Sequence, residues 1–241
     1  MSARLTACAA WYGEALRRPA DAQARMKFTL IYDGPLPAGQ SRRAAHAANI
    51  RNTLHPQMRD LWDTHVIMRQ LAHEARVYKE RMGDLALDIR GPTLPDYTGP
   101  PPPLKEHELD LCAPIAVPEV GSFLPVVRHS LYLACAIDIL FLRYEEPYRL
   151  FEQGGDIDNR LKCFFDALSM PSREQAQAGV GPDTDPLCCL LEDDRLISDF
   201  SIRTGRLLGK CEKNAHDVRI QADITIKVLR VMDQNLCLVS D

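Results

Sequence analysis

The spacing of apolar and polar residues changes several times along this 241-residue chain, and each change predicts an element. Lys27 to Tyr32 alternates as a strand does and is stopped by Asp33-Gly34-Pro35. The basic, alanine-rich stretch 41–53 suits either a helix or an arm. From Pro56, a residue tolerated at a helix start, the positions Met58, Leu61, Trp62, Val66, Leu71 and Ala75 recur at helical spacing. They predict an amphipathic helix reaching Arg81. Gly91 to Pro118 is broken by prolines, including the run 100–103, and cannot be one regular element. Phe123–Arg128 and Leu131–Tyr144 are apolar and β-leaning, with 136–142 as the likeliest centre of a sheet. Leu161, Phe164, Phe165 and Leu168 then follow helical spacing, behind Asp158 as a cap and ahead of Met170-Pro171 as a stop. After a polar loop at 172–186, Leu187–Leu191 reads as a short buried strand, and Leu196–Arg203 and Asp217–Met232 as the last two. The pattern predicts an α/β protein, a mixed β-sheet of about five strands packed with helices. A helical and proline-rich insertion occupies about 50–120.

Composition narrows the classes. Residues 1–25, with a candidate helix from Leu5 to Leu16, read as an N-terminal extension, and 26–241 as a single domain. With 46% hydrophobic residues the chain can bury a substantial core. No apolar run approaches the roughly 20 residues of a membrane-spanning helix, and no continuous apolar stretch of a secretion signal stands at the start. The eight cysteines form no Cys-x-x-Cys pair, and the adjacent Cys188-Cys189 cannot easily bridge. They read as reduced thiols of a cytoplasmic protein, and zinc is not expected. A formal net charge of −4 argues against a broad basic footprint for duplex DNA and leaves local clusters. These are Arg42, Arg43 and Arg51 near the N-terminus and Arg203, Arg206, Lys210 and Lys213 after the last acidic run.

The chemistry concentrates in two segments, Gly154-Gly155-Asp156-Ile157-Asp158-Asn159-Arg160-Leu161-Lys162 and Glu192-Asp193-Asp194. Aspartates two apart on extended backbone face the same side. If the two segments converge, their carboxylates need a cation, because like charges in one place raise each other's pKa. Oxygen ligands without histidine or cysteine suit Mg²⁺ or Mn²⁺, the metals of phosphate-ester chemistry. Plainer readings exist for each part. Asp158 can simply cap the helix with Asp156 at its electropositive entrance, and Lys162 can make an ordinary ion pair four residues on. The later acidic run can be a solvated turn, and Asp166 either a surface charge or a partner of Lys162.

Asp-x-Asp-Asn-x-x-Lys, an apolar helix ending Phe165-Asp166-Ala167-Leu168, and a later Asp-Asp together resemble the RusA family of Holliday-junction resolvases. The match covers roughly 151–200. A fainter likeness lies at Met26–Arg43, where a strand leads through Pro35 and Pro37 to Arg42-Arg43. The resemblance implies a homodimeric α/β nuclease that cuts branched DNA with Mg²⁺ or Mn²⁺. It implies Asp156, Asp158 and Asp194 as metal ligands, Asp193 as the second choice in the later pair, and Lys162 as the catalytic lysine. Arg42, Arg43, Arg203, Arg206 and Lys210 are the candidate DNA contacts. Two alternatives stay open: the same chemistry on flap DNA or RNA, and a catalytically weak protein that binds a partner or a metal.

Overall fold

The computed structural model describes residues 26–36, 43–82, 110–144, 157–172, 175, 185–208 and 217–239. The elements are β1 (Lys27–Pro35), α1 (Arg43–Thr64), α2 (Val66–Met82), β2 (Ile115–Val117), β3 (Gly121–Val127) and β4 (Leu133–Arg143). They continue with α3 (Ile157–Leu168), β5 (Leu187–Leu191), a 3₁₀ turn at Asp194–Leu196, β6 (Ile197–Arg206), β7 (Asp217–Val228) and a 3₁₀ turn at Asp233–Leu238. The class is mixed α/β. Its strands form two sheets and not the single one expected: a four-stranded sheet in the order β1-β7-β4-β6 and a three-stranded one in the order β2-β3-β5.

Pairing in the larger sheet is antiparallel for β1–β7 and β7–β4 and parallel for β4–β6. Strand period explains which face is which. Ile137, Ile139 and Phe141 of β4 and Ile220, Ala222, Ile224 and Ile226 of β7 are buried, whereas Asp138 between them is exposed. Asp138 accepts from Ser201 Oγ across the β4–β6 pair, so it is satisfied on the solvent face, away from the acidic run. The β1 edge is closed by Gln57, whose amide accepts from Ile31 N at 2.9 Å and donates to Ile31 O at 2.6 Å. Those two bonds occupy the backbone groups of Ile31, in the middle of the edge on which another strand would pair.

Two sequence expectations about helices need correction. Pro56 does not start a helix; it lies inside α1, which begins at Arg43. The buried stripe Ala47, Ile50, Leu54, Met58, Leu61 and Trp62 runs unbroken across it, so packing holds the helix through the missing proline N–H. The break comes at His65, where the imidazole Nδ1 accepts from Ile67 N at 3.3 Å and caps α2. The stretch expected to be an insertion therefore contributes α1 to the main core, beside Leu168, Leu190 and Ile224. The proline-rich part at 83–109 lies outside the described residues, as does the extension 1–25. Within 110–118 the chain forms the three-residue β2, consistent with a stretch that is not one regular element.

β5 is buried at every position, which its unbroken apolar sequence Leu-Cys-Cys-Leu-Leu requires. It runs parallel to β3, and at its end Leu191 O accepts from Met170 N at 2.9 Å. Ser169 and Leu191 form a parallel bridge. The end of α3 and the end of β5 are thus tied together, and whatever follows Leu191 emerges beside the last turn of α3.

Candidate functional site

α3 is amphipathic. Leu161, Cys163, Phe164, Ala167 and Leu168 are buried, while Asp158 and Lys162 are exposed. Asp158 lies in the first turn, where a carboxylate faces the positive end of the helix. Its Oδ2 is 2.9 Å from Lys162 Nζ, the ion pair that their spacing allows. Both side chains are more than half exposed, at 62% and 52%, so the pair contributes only about 0.3–0.5 kcal/mol and yields readily to a stronger partner.

The other end of α3 is far more tightly held. Asp166, which its spacing allowed as a partner of Lys162, instead accepts from Arg43 Nε at 2.6 Å with only 13% of its side chain exposed. Arg51, 5% exposed, donates to Ser169 O at 2.7 Å and to Asp166 O at 2.5 Å. The last carbonyls of a helix have no partner within it, so a buried guanidinium on α1 satisfies the end of α3. On the core side Arg160 donates to Leu36 O, fixing α3 against the end of β1. Arg51 is therefore structural and closed to phosphate, and Arg43 is committed to Asp166.

β5 delivers the second acidic segment. Glu192 turns to the β3–β4 connection, where its Oε2 accepts from His129 N at 2.9 Å. Asp193 is in extended backbone and caps the 3₁₀ turn, accepting from Arg195 N at 2.9 Å. It also takes both Arg195 Nε and Nη2 at 2.8 Å. That bidentate grip holds the Asp193 carboxyl down at about 2. Asp194 is pushed the other way, above the usual carboxylate range, first by burial, then by the charge of Asp193, with Asp166 adding to the effect. The described acids that act on Asp194 are Asp193 and Asp166. The expected strand through Glu192–Asp194 is a turn, because Asp193 uses its side chain to start a new 3₁₀ helix.

Asp156, the first ligand of the expected metal set, lies outside the described residues, as do Arg42 and Lys210. Among the described residues no group of three or more His, Cys, Asp or Glu is arranged to hold a metal ion. The donor types do suit a hard cation: Asp158, Asp193, Asp194 and Asp166 offer only oxygen, and the cysteines near α3 and β5 are buried thiols raised by burial. Arg203 and Arg206 are both exposed on β6, but an odd spacing puts them on opposite faces of the strand. The sequence undervalued Asp166, although its place four residues after Lys162 and eight after Asp158 marks it as sharing their side of α3. No family model, curated protein or solved structure matches the chain.

Proposed function

We propose that the protein is a divalent-metal-dependent endonuclease of the RusA type that cleaves branched DNA such as Holliday junctions. The observation that carries the proposal is the position of Asp194. It stands beside the last turn of the helix that carries Asp158 and Lys162, near Asp166, and it is raised first by burial and then by its acidic neighbours, while Asp193 is neutralised by Arg195. A partly buried carboxylate beside other carboxylates is suited to a metal ion that would offset their mutual repulsion. Asp194 is thus favoured over Asp193 as the ligand; Asp158, in the first turn of the helix whose last turn Asp194 adjoins, and Asp156 are the other proposed ligands, and a shared metal requires them to approach it. Bound Mg²⁺ or Mn²⁺ supplies a Lewis acid for the phosphate and a water of lowered pKa. Lys162, released from its weak pair with Asp158, places a positive charge against the phosphate where negative charge develops. Arg42, Arg203, Arg206 and Lys210 remain as the groups that would meet the flanking phosphates, while Arg43 serves Asp166. A symmetric homodimer would give a twofold junction two such sites.

The test is cleavage of a labelled four-way junction beside matched duplex, flap, single strand and RNA, in Mg²⁺ and in Mn²⁺. Metal-dependent cutting of the junction above the duplex is expected. Preference for flap or RNA would move the substrate and keep the chemistry, and no cleavage of any substrate in either metal would overturn the reading.

A further inference from the structure

The two edges of the larger sheet are treated differently. Gln57 blocks the middle of β1, but among the described residues no strand or side-chain amide pairs with the outer side of β6. β6 is ten residues long, and all its side chains are exposed or partly exposed. A long open edge is a template for another strand.

The side-chain order of β6 is self-complementary about Ser201. If two copies pair antiparallel with Ser201 opposite Ser201, Asp199 of each lies opposite Arg203 of the other, and Phe200 opposite Ile202. Ser198 then meets Thr204. Directly opposed residues in an antiparallel pair share a face. Both Asp199–Arg203 contacts therefore fall on the solvent face of the sheet, and both Phe200–Ile202 contacts on the face that carries α3. A slip of one residue would set charge against apolar side chains and lose both, so the pattern specifies its register. The side chains are also prepared. Phe200 is 53% exposed yet held edge-on by Phe165 at 5.4 Å between ring centroids. Asp199 is 60% exposed, with its carboxylate fixed by Lys227 Nζ at 2.6 Å and Ser198 Oγ at 2.9 Å.

We propose that β6 is a dimerisation edge: a second copy of this chain pairs with it antiparallel about Ser201, joining the two four-stranded sheets into one. Arg203 then belongs to the dimer and leaves the set of phosphate contacts, while Arg206 on the opposite face of the strand is left for phosphate. The proposal deepens the nuclease reading by giving it a twofold axis, but it rests on the strand alone. A monomer that cuts junctions would sink the dimer and spare the nuclease; a dimer that cuts nothing would do the reverse.

The experiment is sedimentation velocity of the full chain, whose protomer mass is 27.1 kDa. At micromolar concentration the wild type is expected at twice that mass. D199R alone sets two arginine pairs across the twofold, and R203D alone sets two aspartate pairs, so each should weaken the dimer by about tenfold or more. An equimolar mixture of the two makes both contacts complementary again, and it should recover the dimer even though neither variant forms one well by itself. That recovery also shows that both variants are folded. A wild type that stays monomeric, a single variant that dimerises like the wild type, or a mixture that stays monomeric would each overturn the proposal. Asp199 and Arg203 would then be charges that guard an open edge.

Discussion

Neighbouring aspartates with opposite fates define the residue scale. Asp193 and Asp194 are adjacent, yet the first is gripped by Arg195 and the second is crowded by other acids. The folded pKa of Asp193, about 2, lies below its ordinary value of 3.8. Its stabilising contribution is therefore present above the ordinary value and lost as pH falls toward 2. Arg195→Ala should raise the Asp193 titration, followed by carboxyl-carbon NMR shifts, toward its ordinary value of 3.8, with the backbone cap bond and the contact with Asp194 left to lower it; a titration still near 2 would show that something other than the Arg195 side chain holds it. For catalysis, Asp194→Asn should abolish cleavage while junction binding persists, because the lost charge acts on the metal and not on DNA contacts. Asp193→Asn should do less damage, since asparagine still caps the turn. The reverse ranking, measured on the same junction, would reassign the ligand. Nothing in the sequence separated these two residues beyond the likeness of the motif, because the difference is made by a side chain two positions later that bends back.

At the scale of elements, the joint between α3 and β5 positions the second acidic segment. Arg51 reaches from α1 to the carbonyls of Asp166 and Ser169, and Ser169 bridges Leu191. Arg51→Met removes both charged donors and leaves buried carbonyls without partners, which should cost about 3 kcal/mol. Urea denaturation measures it; a loss below half of that would mean that water or another donor takes over. Much of this architecture was legible. The Leu187–Leu191 run, the apolar face of α3 and the alternation in β4 and β7 each announce an element, because local period and burial agree there. α1 was not legible, since a proline within it imitates a helix start, and only contacts with β1, β5 and α3 keep the helix whole. The basic residues of α1 misled for the same reason. Arg51 has the composition of a phosphate contact, and its tertiary role as a helix cap is invisible until α3 is placed beside it.

On the scale of the whole molecule, the formal net charge of −4 means that DNA can be held only by localised cations. With about four to six phosphates contacted, affinity should fall with salt at a log–log slope of about −4 to −5, read by fluorescence anisotropy. A slope near zero would mean that nucleic acid is not the ligand. The prior question is whether Asp156, Asp158 and Asp194 hold a cation at all, and thermal unfolding with and without metal answers it most directly. With a dissociation constant on the order of 1 mM, 10 mM Mg²⁺ or Mn²⁺ stabilises by about 1.4 kcal/mol. For a chain of this size that raises Tm by about 3–5 °C. The rise should appear in the wild type and shrink in both Asp156→Asn and Asp194→Asn. A Tm that does not respond to either metal, or a response that both variants keep in full, would contradict the metal site and with it the nuclease.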